Sequence, residues 1–167
     1  IQHDSYIFAA SGGAKFVFRG GVSLSSAGYF TTFNNSASVE LQGTNEWSIS
    51  APGYVSFNGP ISGAGNLVKQ GDGILALGGT VANTATGFTQ VNEGELRLAK
   101  SPGITAIAGP LIVSTNTAYD PNQLAKVVSS ANHQIADTAP ITLRTTGLLD
   151  LNGFQESIGS LTLFGGA

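Results

Sequence analysis

The 167-residue chain contains no cysteine and no methionine. The first absence excludes disulfides, thiolate metal sites and cysteine nucleophiles, and it is compatible with export because no thiol has to be kept reduced. The second extends to position 1, so a chain starting at Ile1 is expected to be a processed or partial exported product. Charge is scarce as well: 10 % of the residues, seven basic against ten acidic, with a formal net charge of -3. That leaves no basic face for nucleic acid or for an anionic membrane. No apolar run approaches the roughly 18 residues of a membrane helix, so no membrane insertion by this segment is expected.

What is abundant is small and polar. Glycine occurs 23 times, about twice the usual ~7 %, and 17 Ser and 15 Thr occupy positions where Lys and Glu would coat a helical protein. Apolar residues recur as i, i+2 pairs: Phe16 and Phe18, Val39 and Leu41, Trp47 and Ile49, Val55 and Phe57, Leu75 and Leu77, Leu96 and Leu98, Leu111 and Val113, Ile141 and Leu143, Leu149 and Leu151, Leu161 and Leu163. Period two predicts strands with Glu40, Ala76, Arg97, Thr142, Asp150 and Thr162 facing outward. The segment Asp120 to Ser129 is open to two readings, a short helix capped by Asp120 and Pro121 or a strand over Lys126 to Ser129, and the Val127-Val128 pair favours the strand.

The pairs return at near-regular intervals, 16 residues from Val39 to Val55, 20 to Leu75, 21 to Leu96 and 15 to Leu111. A second match lies 94 residues apart, where Asn58, Gly59, Gly65, Leu67 and Gly71 align with Asn152, Gly153, Gly159, Leu161 and Gly165. Two architectures use short strands punctuated by Gly. In an antiparallel sandwich Asn58-Gly59 and Asn152-Gly153 are hairpin turns; in a parallel β-helix they turn corners, and coils of about 20 residues supply the return path that parallel pairing needs. The period favours a solenoid.

The run Ile61 to Gly79, followed by Asn83 to Gly87 and Val91 to Leu98, resembles the autotransporter-associated β-strand repeat, and Leu149 to Phe154 with Ile158 to Leu161 resembles segments of large bacterial surface proteins of that family. Ala85 and Phe88 stand where that family has an aromatic and a second Gly, so the turn there is expected to differ. The resemblance implies an all-β, right-handed parallel β-helix, exported, in a passenger or stalk. It implies no activity. The expected organisation is one β-helix domain or segment over 1–167, with 1–37 as a capping or contact region and 116–138 as an excursion. Seven of the thirteen Phe and Tyr fall at Tyr6, Phe8, Phe16, Phe18, Tyr29, Phe30 and Phe33, as ring filling of the first coils or as a contact surface.

Chemistry-bearing patterns are weak. Gly63-Ala64-Gly65-Asn66-Leu67-Val68 lacks the third Gly and the following helix of a dinucleotide site. Asp72, between Gly71 and Gly73, lacks the repeating acids of a calcium β-roll and is expected to cap its own backbone. A glycosidase needs two carboxylates across a cleft; Glu93 with Glu95, or Asp150 with Glu156, are the pairs on offer, and each is better read as a solvated turn or outward strand position. His3 and His133 are too isolated for a metal site, Ser62 sits out of register for a nucleophile elbow, and Asn34-Asn35-Ser36 is a formal glycosylation triplet. Asn58, Asn66, Asn92 and Asn152 are expected to satisfy backbone groups at corners.

No catalytic, cofactor-binding or metal residue is therefore assigned, and no enzyme is expected. The expectation is an extracellular or cell-surface structural protein of bacterial type, a stalk, adhesin or fibre segment. The alternatives are a polysaccharide-processing enzyme on a β-helix, or a carbohydrate-binding β-sandwich. The expected partners are neighbouring coils end to end, with the Leu161 to Leu163 edge meeting another copy near Tyr6 to Ala9 or Lys15 to Phe18, and surface glycans.

Overall fold

The computed structural model describes residues 5–9, 13–24, 30–114 and 124–165. Within them every strand pairing is parallel, there is no helix, and the chain winds as a β-solenoid with coils of ~22 residues. The sandwich alternative is excluded by this pairing: Asn152 (φ 50°) and Gly153 (φ 81°) turn a corner, and Asn58 bonds through its amide to Phe33 of the preceding coil.

The first three coils each contribute three strands. These are β1 (Ser5–Phe8), β2 (Lys15–Phe18) and β3 (Gly21–Leu24), then β4 (Phe30–Phe33), β5 (Ser38–Leu41) and β6 (Thr44–Ile49), then β7 (Tyr54–Phe57), β8 (Ile61–Ser62) and β9 (Asn66–Gln70). Later coils keep two: β10 (Ile74–Gly79) and β11 (Thr89–Val91), β12 (Gly94–Lys100) and β13 (Leu111–Val113), β14 (Ala125–Ser129) and β15 (Pro140–Leu143), β16 (Gly147–Asp150) and β17 (Ser160–Leu163). The first side is the seven-stranded sheet β1-β4-β7-β10-β12-β14-β16 and the third side the seven-stranded sheet β3-β6-β9-β11-β13-β15-β17. The second side is a sheet only over β2-β5-β8 and afterwards continues as extended chain with a single bridge, Ile107 to Ile135.

Inward side chains stack in columns. Tyr6, Thr31, Val55, Leu75, Leu96, Val127 and Leu149 occupy successive registers of one column on the first side. On the third side Asn45, Leu67, Thr89, Leu111, Ile141 and Leu161 form another. Leu67 and Leu161 thus share a column, which is why the sequence repeats at a distance of 94: the same corner chemistry recurs four windings later. The spacings of 16 and 15 have a different origin, since Val39 lies on the second side and Val55 on the first, and Leu96 and Leu111 likewise lie on different sides.

Burial follows parity. Trp47, Ile49, Val55, Leu75, Leu96, Leu98 and Leu111 are fully enclosed, so hydrophobic burial of about 25 cal/mol per Å² accumulates along the axis rather than at one centre. Rings fill the wider first coils: Phe8, Phe33 and Phe57 stack with centroids 4.5 and 4.0 Å apart, while Phe16 and Phe18 meet Phe33 edge-on. Ala76 departs from the expected outward exposure and is buried; its methyl is short, and Ser56 and Arg97 flank it in register. Leu161 and Leu163 depart in the other sense, 49 % and 68 % exposed, because no described coil follows them.

Ala125–Ser129 is a wall strand, so Val127 and Val128 take the strand alternative; Asp120 and Pro121 lie outside the described residues. Leu96 pairs with Val127, 31 residues on, whereas Leu75 pairs with Leu96 after 21. The register step is longer here by ten residues; of the expected 116–138 excursion, 116–123 lies outside the described residues and Ala125–Ser129 is a wall strand.

Candidate functional site

Glu95 and Asp150 lie on wall strands, and Glu93 and Glu156 lie between strands. Glu95 is held by Arg97 two residues along the same strand, with Nη2 and Nε 2.6 and 2.7 Å from Oε1. Glu93 supplies its carbonyl to a buried lysine. Asp150 lies 3.7 Å from Lys126 and caps the Asn152 amide at 2.9 Å. Glu156 accepts from the Gln134 amide at 2.7 Å, and its Oε1 has no partner among the described residues. Glu95, Asp150 and Glu156 thus bond locally through a carboxylate oxygen, whereas Glu93 takes part through its backbone carbonyl. Among the described residues no group of three or more His, Asp or Glu gathers as metal ligands. His133 is a corner residue with φ 55°, donating its amide to Gln155; His3 and Tyr29 lie outside the described residues.

The glycine-rich run is corner chemistry. Gly43, Gly65, Gly87 and Gly109 succeed one another every 22 residues at the turn onto the third side. A Cβ on Gly65 would lie 2.7 Å from the Gly43 carbonyl oxygen, and Cβ atoms on Gly87 and Gly109 would run into the carbonyls of Gly65 and Gly87. Only glycine lets the backbones approach that closely. Asp72 caps across coils rather than its own backbone, accepting from the Ala51 amide at 2.7 Å, because the preceding coil brings that amide closer.

Among the four asparagines expected at corners, Asn66 accepts from the Phe88 amide at 3.1 Å and Asn152 donates to the Ser129 carbonyl at 3.4 Å. Asn58 and Asn92 instead bond to neighbouring side chains, Ser56 and Gln90. The deeper work falls to residues that sequence reasoning missed. Asn83, buried, accepts from the Ile61 amide at 2.9 Å and donates to the Ala106 carbonyl at 2.8 Å, tying three coils. Gln134, fully buried, accepts from the Lys100 amide at 2.8 Å.

Two lysines are also enclosed. Lys69 takes the inward column position between Trp47 and Val91, and its Nζ donates to the carbonyls of Gln70, Gly71 and Glu93 at 2.8, 2.5 and 3.2 Å. Burial lowers its pKa to about 8, an effect that negative Glu93 and Asp72 partly offset. Lys100 reaches back across two coils to the carbonyls of Gly78 and Gly59 at 2.8 and 3.4 Å, and burial lowers its pKa to about 8 too. The signal was parity: Leu67 and Lys69, or Leu96, Leu98 and Lys100, are separated by twos. An ammonium there offsets its own desolvation by bonding to carbonyl oxygens of its own and neighbouring coils.

On the first described coil Phe8 and, outward, Ile7 are 39 % and 74 % exposed; on the last described coil Leu151, Leu161, Leu163 and Phe164 are 37 %, 49 %, 68 % and 52 % exposed.

No curated protein and no solved structure was found to match the chain. Residues 67–98, from Leu67 to Leu98, match the family model described as passenger-associated-transport-repeat, so this solenoid carries a repeat of the autotransporter passenger type.

Proposed function

We propose that this chain is a structural segment of an exported surface protein, a stiff solenoid that holds other parts of a stalk or adhesin at a distance and has no catalytic role of its own. The single observation that carries this reading is the set of inward columns running through successive coils, with Glu95, Asp150 and Glu156 each bonded locally through a carboxylate oxygen. The passenger-type repeat supports export and surface exposure.

A stacked scaffold tolerates removal of one whole winding. Excising residues 75–95 places Leu96 directly after Ile74 and in the register that Leu75 held against Val55. The shortened protein is expected to keep its β circular dichroism and to lose about 4.8 Å of length by small-angle scattering, the spacing of one strand. Excising residues 75–84 instead throws the columns out of register and is expected to unfold the chain. Equal loss of structure in both deletions would refute the reading.

A further inference from the structure

We propose that a groove on the second side, between the coil that carries Thr105 and the coil that carries His133 and Asp137, binds a neutral saccharide. The inference adds a ligand to the scaffold and rests on that reading only in needing these two coils to be stacked.

The groove follows from a local mismatch in winding. Gly103 and Ile107, four residues apart, donate their amides to the carbonyls of Asn132 and Gln134, which are two apart, at 3.0 and 3.1 Å. The Ala106 amide shares the Gln134 carbonyl at 2.7 Å. Extra chain in one of two paired strands is the mark of a β-bulge, a device that re-aims side chains beside functional sites. A groove of about 450 Å³ opens at this place, with Ile135 and Ala136 in its lining. That volume falls within the ~300 to 1,000 Å³ of small-ligand sites.

Four polar residues line it, Thr105, His133, Asp137 and Thr138, and their side chains make no hydrogen bond or ion pair among the described residues. Asp137 and Thr138 are the central residues of a turn that the Ala139 amide closes onto the Ala136 carbonyl at 2.8 Å. His133 has φ 55°, in a region that residues other than glycine occupy sparsely. The preceding coil places Gly103, φ 77°, beside it. The chain thus holds an imidazole at a corner that glycine would turn with less strain.

The chemistry of the lining selects the ligand. Asp137 only accepts hydrogen bonds, whereas the imidazole and the two threonine hydroxyls both donate and accept. A ring of adjacent hydroxyls satisfies such a set, and its C–H face meets Ile135 and Ala136. No Lys or Arg lines the groove, which disfavours an anion. The amides of Ala106, Ile107, Ala136 and Ala139 are already bonded, so this place gives no edge for a peptide to join as a strand. Among the described residues no three His, Asp or Glu gather as metal ligands.

The experiment titrates the purified chain with cellotriose, maltotriose, lactose and chitotriose to about 10 mM, a range that detects millimolar binding. Trigalacturonate is the anionic control, amide NMR the readout, and circular dichroism is recorded on every sample. At least one neutral sugar is expected to saturate and to shift the amides of Gly103, Thr105, His133 and Asp137. Asp137→Ala and His133→Gly are each expected to weaken that binding ~10-fold or more. Because glycine adopts the left-handed conformation freely, His133→Gly is expected to keep its melting temperature, which separates loss of the imidazole from loss of the fold. If Asp137→Ala loses its β spectrum, Asp137→Asn gives the same readout. No saturation by any neutral sugar, with the β spectrum intact, would overturn the groove and leave the scaffold standing. Tighter binding of trigalacturonate, amide shifts confined to other coils, or unchanged affinity in both variants would each overturn it too. Loss of the β spectrum in wild type would overturn the scaffold and the groove with it.

Discussion

Raising the pH from 8 to about 10 should make this protein more resistant to urea, the reverse of what alkali does to most folds. Lys69 and Lys100 have folded-state pKa values of about 8 against 10.5 for the free side chain, because burial disfavours the ammonium. Below pH 8 both folded and unfolded chains hold these protons, and stability does not respond to them. Between 8 and 10.5 the folded chain releases them while the unfolded chain keeps them, so the unfolded state binds more protons and unfolding becomes harder as pH rises. Each unit is worth about 1.4 kcal/mol per group, hence about 2 kcal/mol per lysine between pH 8 and 9.5. With a urea slope of ~2 kcal/mol per M, one lysine moves the midpoint by about 1 M. The comparison is wild type against the Lys69→Met/Lys100→Met double variant at matched pH, which cancels tyrosines and exposed lysines common to both. Equal pH profiles for the two proteins would refute the claim that these ammonium groups are held in a low-dielectric core.

Three further perturbations address the walls, corners and pins. Leu96→Ala, at a fully buried column position, is expected to cost about 2 to 5 kcal/mol in urea unfolding, and Leu96→Asp to abolish the β spectrum. Gly87→Ala sets a methyl against the Gly65 carbonyl and is expected to destabilise strongly, whereas Gly20→Ala, with open space and no positive φ, is expected to change the melting temperature little or to raise it slightly. Asn83→Ala leaves the Ile61 amide and the Ala106 carbonyl without their buried partner, and about 1 to 3 kcal/mol per orphaned group is expected, read as faster hydrogen exchange at Ile61.

Much of the wall was legible in the chain because it is a one-dimensional pattern. Leu75 and Leu77, or Leu111 and Val113, alternate with period two, and alternation alone decides which side chain can face inward once a strand forms. The distance of 21 residues between Leu75 and Leu96 then indicated parallel stacking with no helix needed for the return. The run at residues 59–79, dense in glycine, was likewise readable as punctuation. The buried lysines were not, because charge on its own argues for the surface. Lys69 and Lys100 stay inside because carbonyl oxygens gather around each Nζ, from Gln70, Gly71 and Glu93 in one case and from Gly78 and Gly59 of earlier coils in the other. Asn83 and Gln134 were missed for the same reason, since their partners lie 22 to 34 residues away in the chain.

The sequence by itself determined the strands, their parity and the length of a winding, since these follow from local alternation and from glycine at each close approach. Only the tertiary structure decided which columns meet and which polar groups are sealed inside. Those outcomes depend on carbonyls, amides and apolar side chains brought together from different coils, and no residue carries that information until its neighbours above and below are in place.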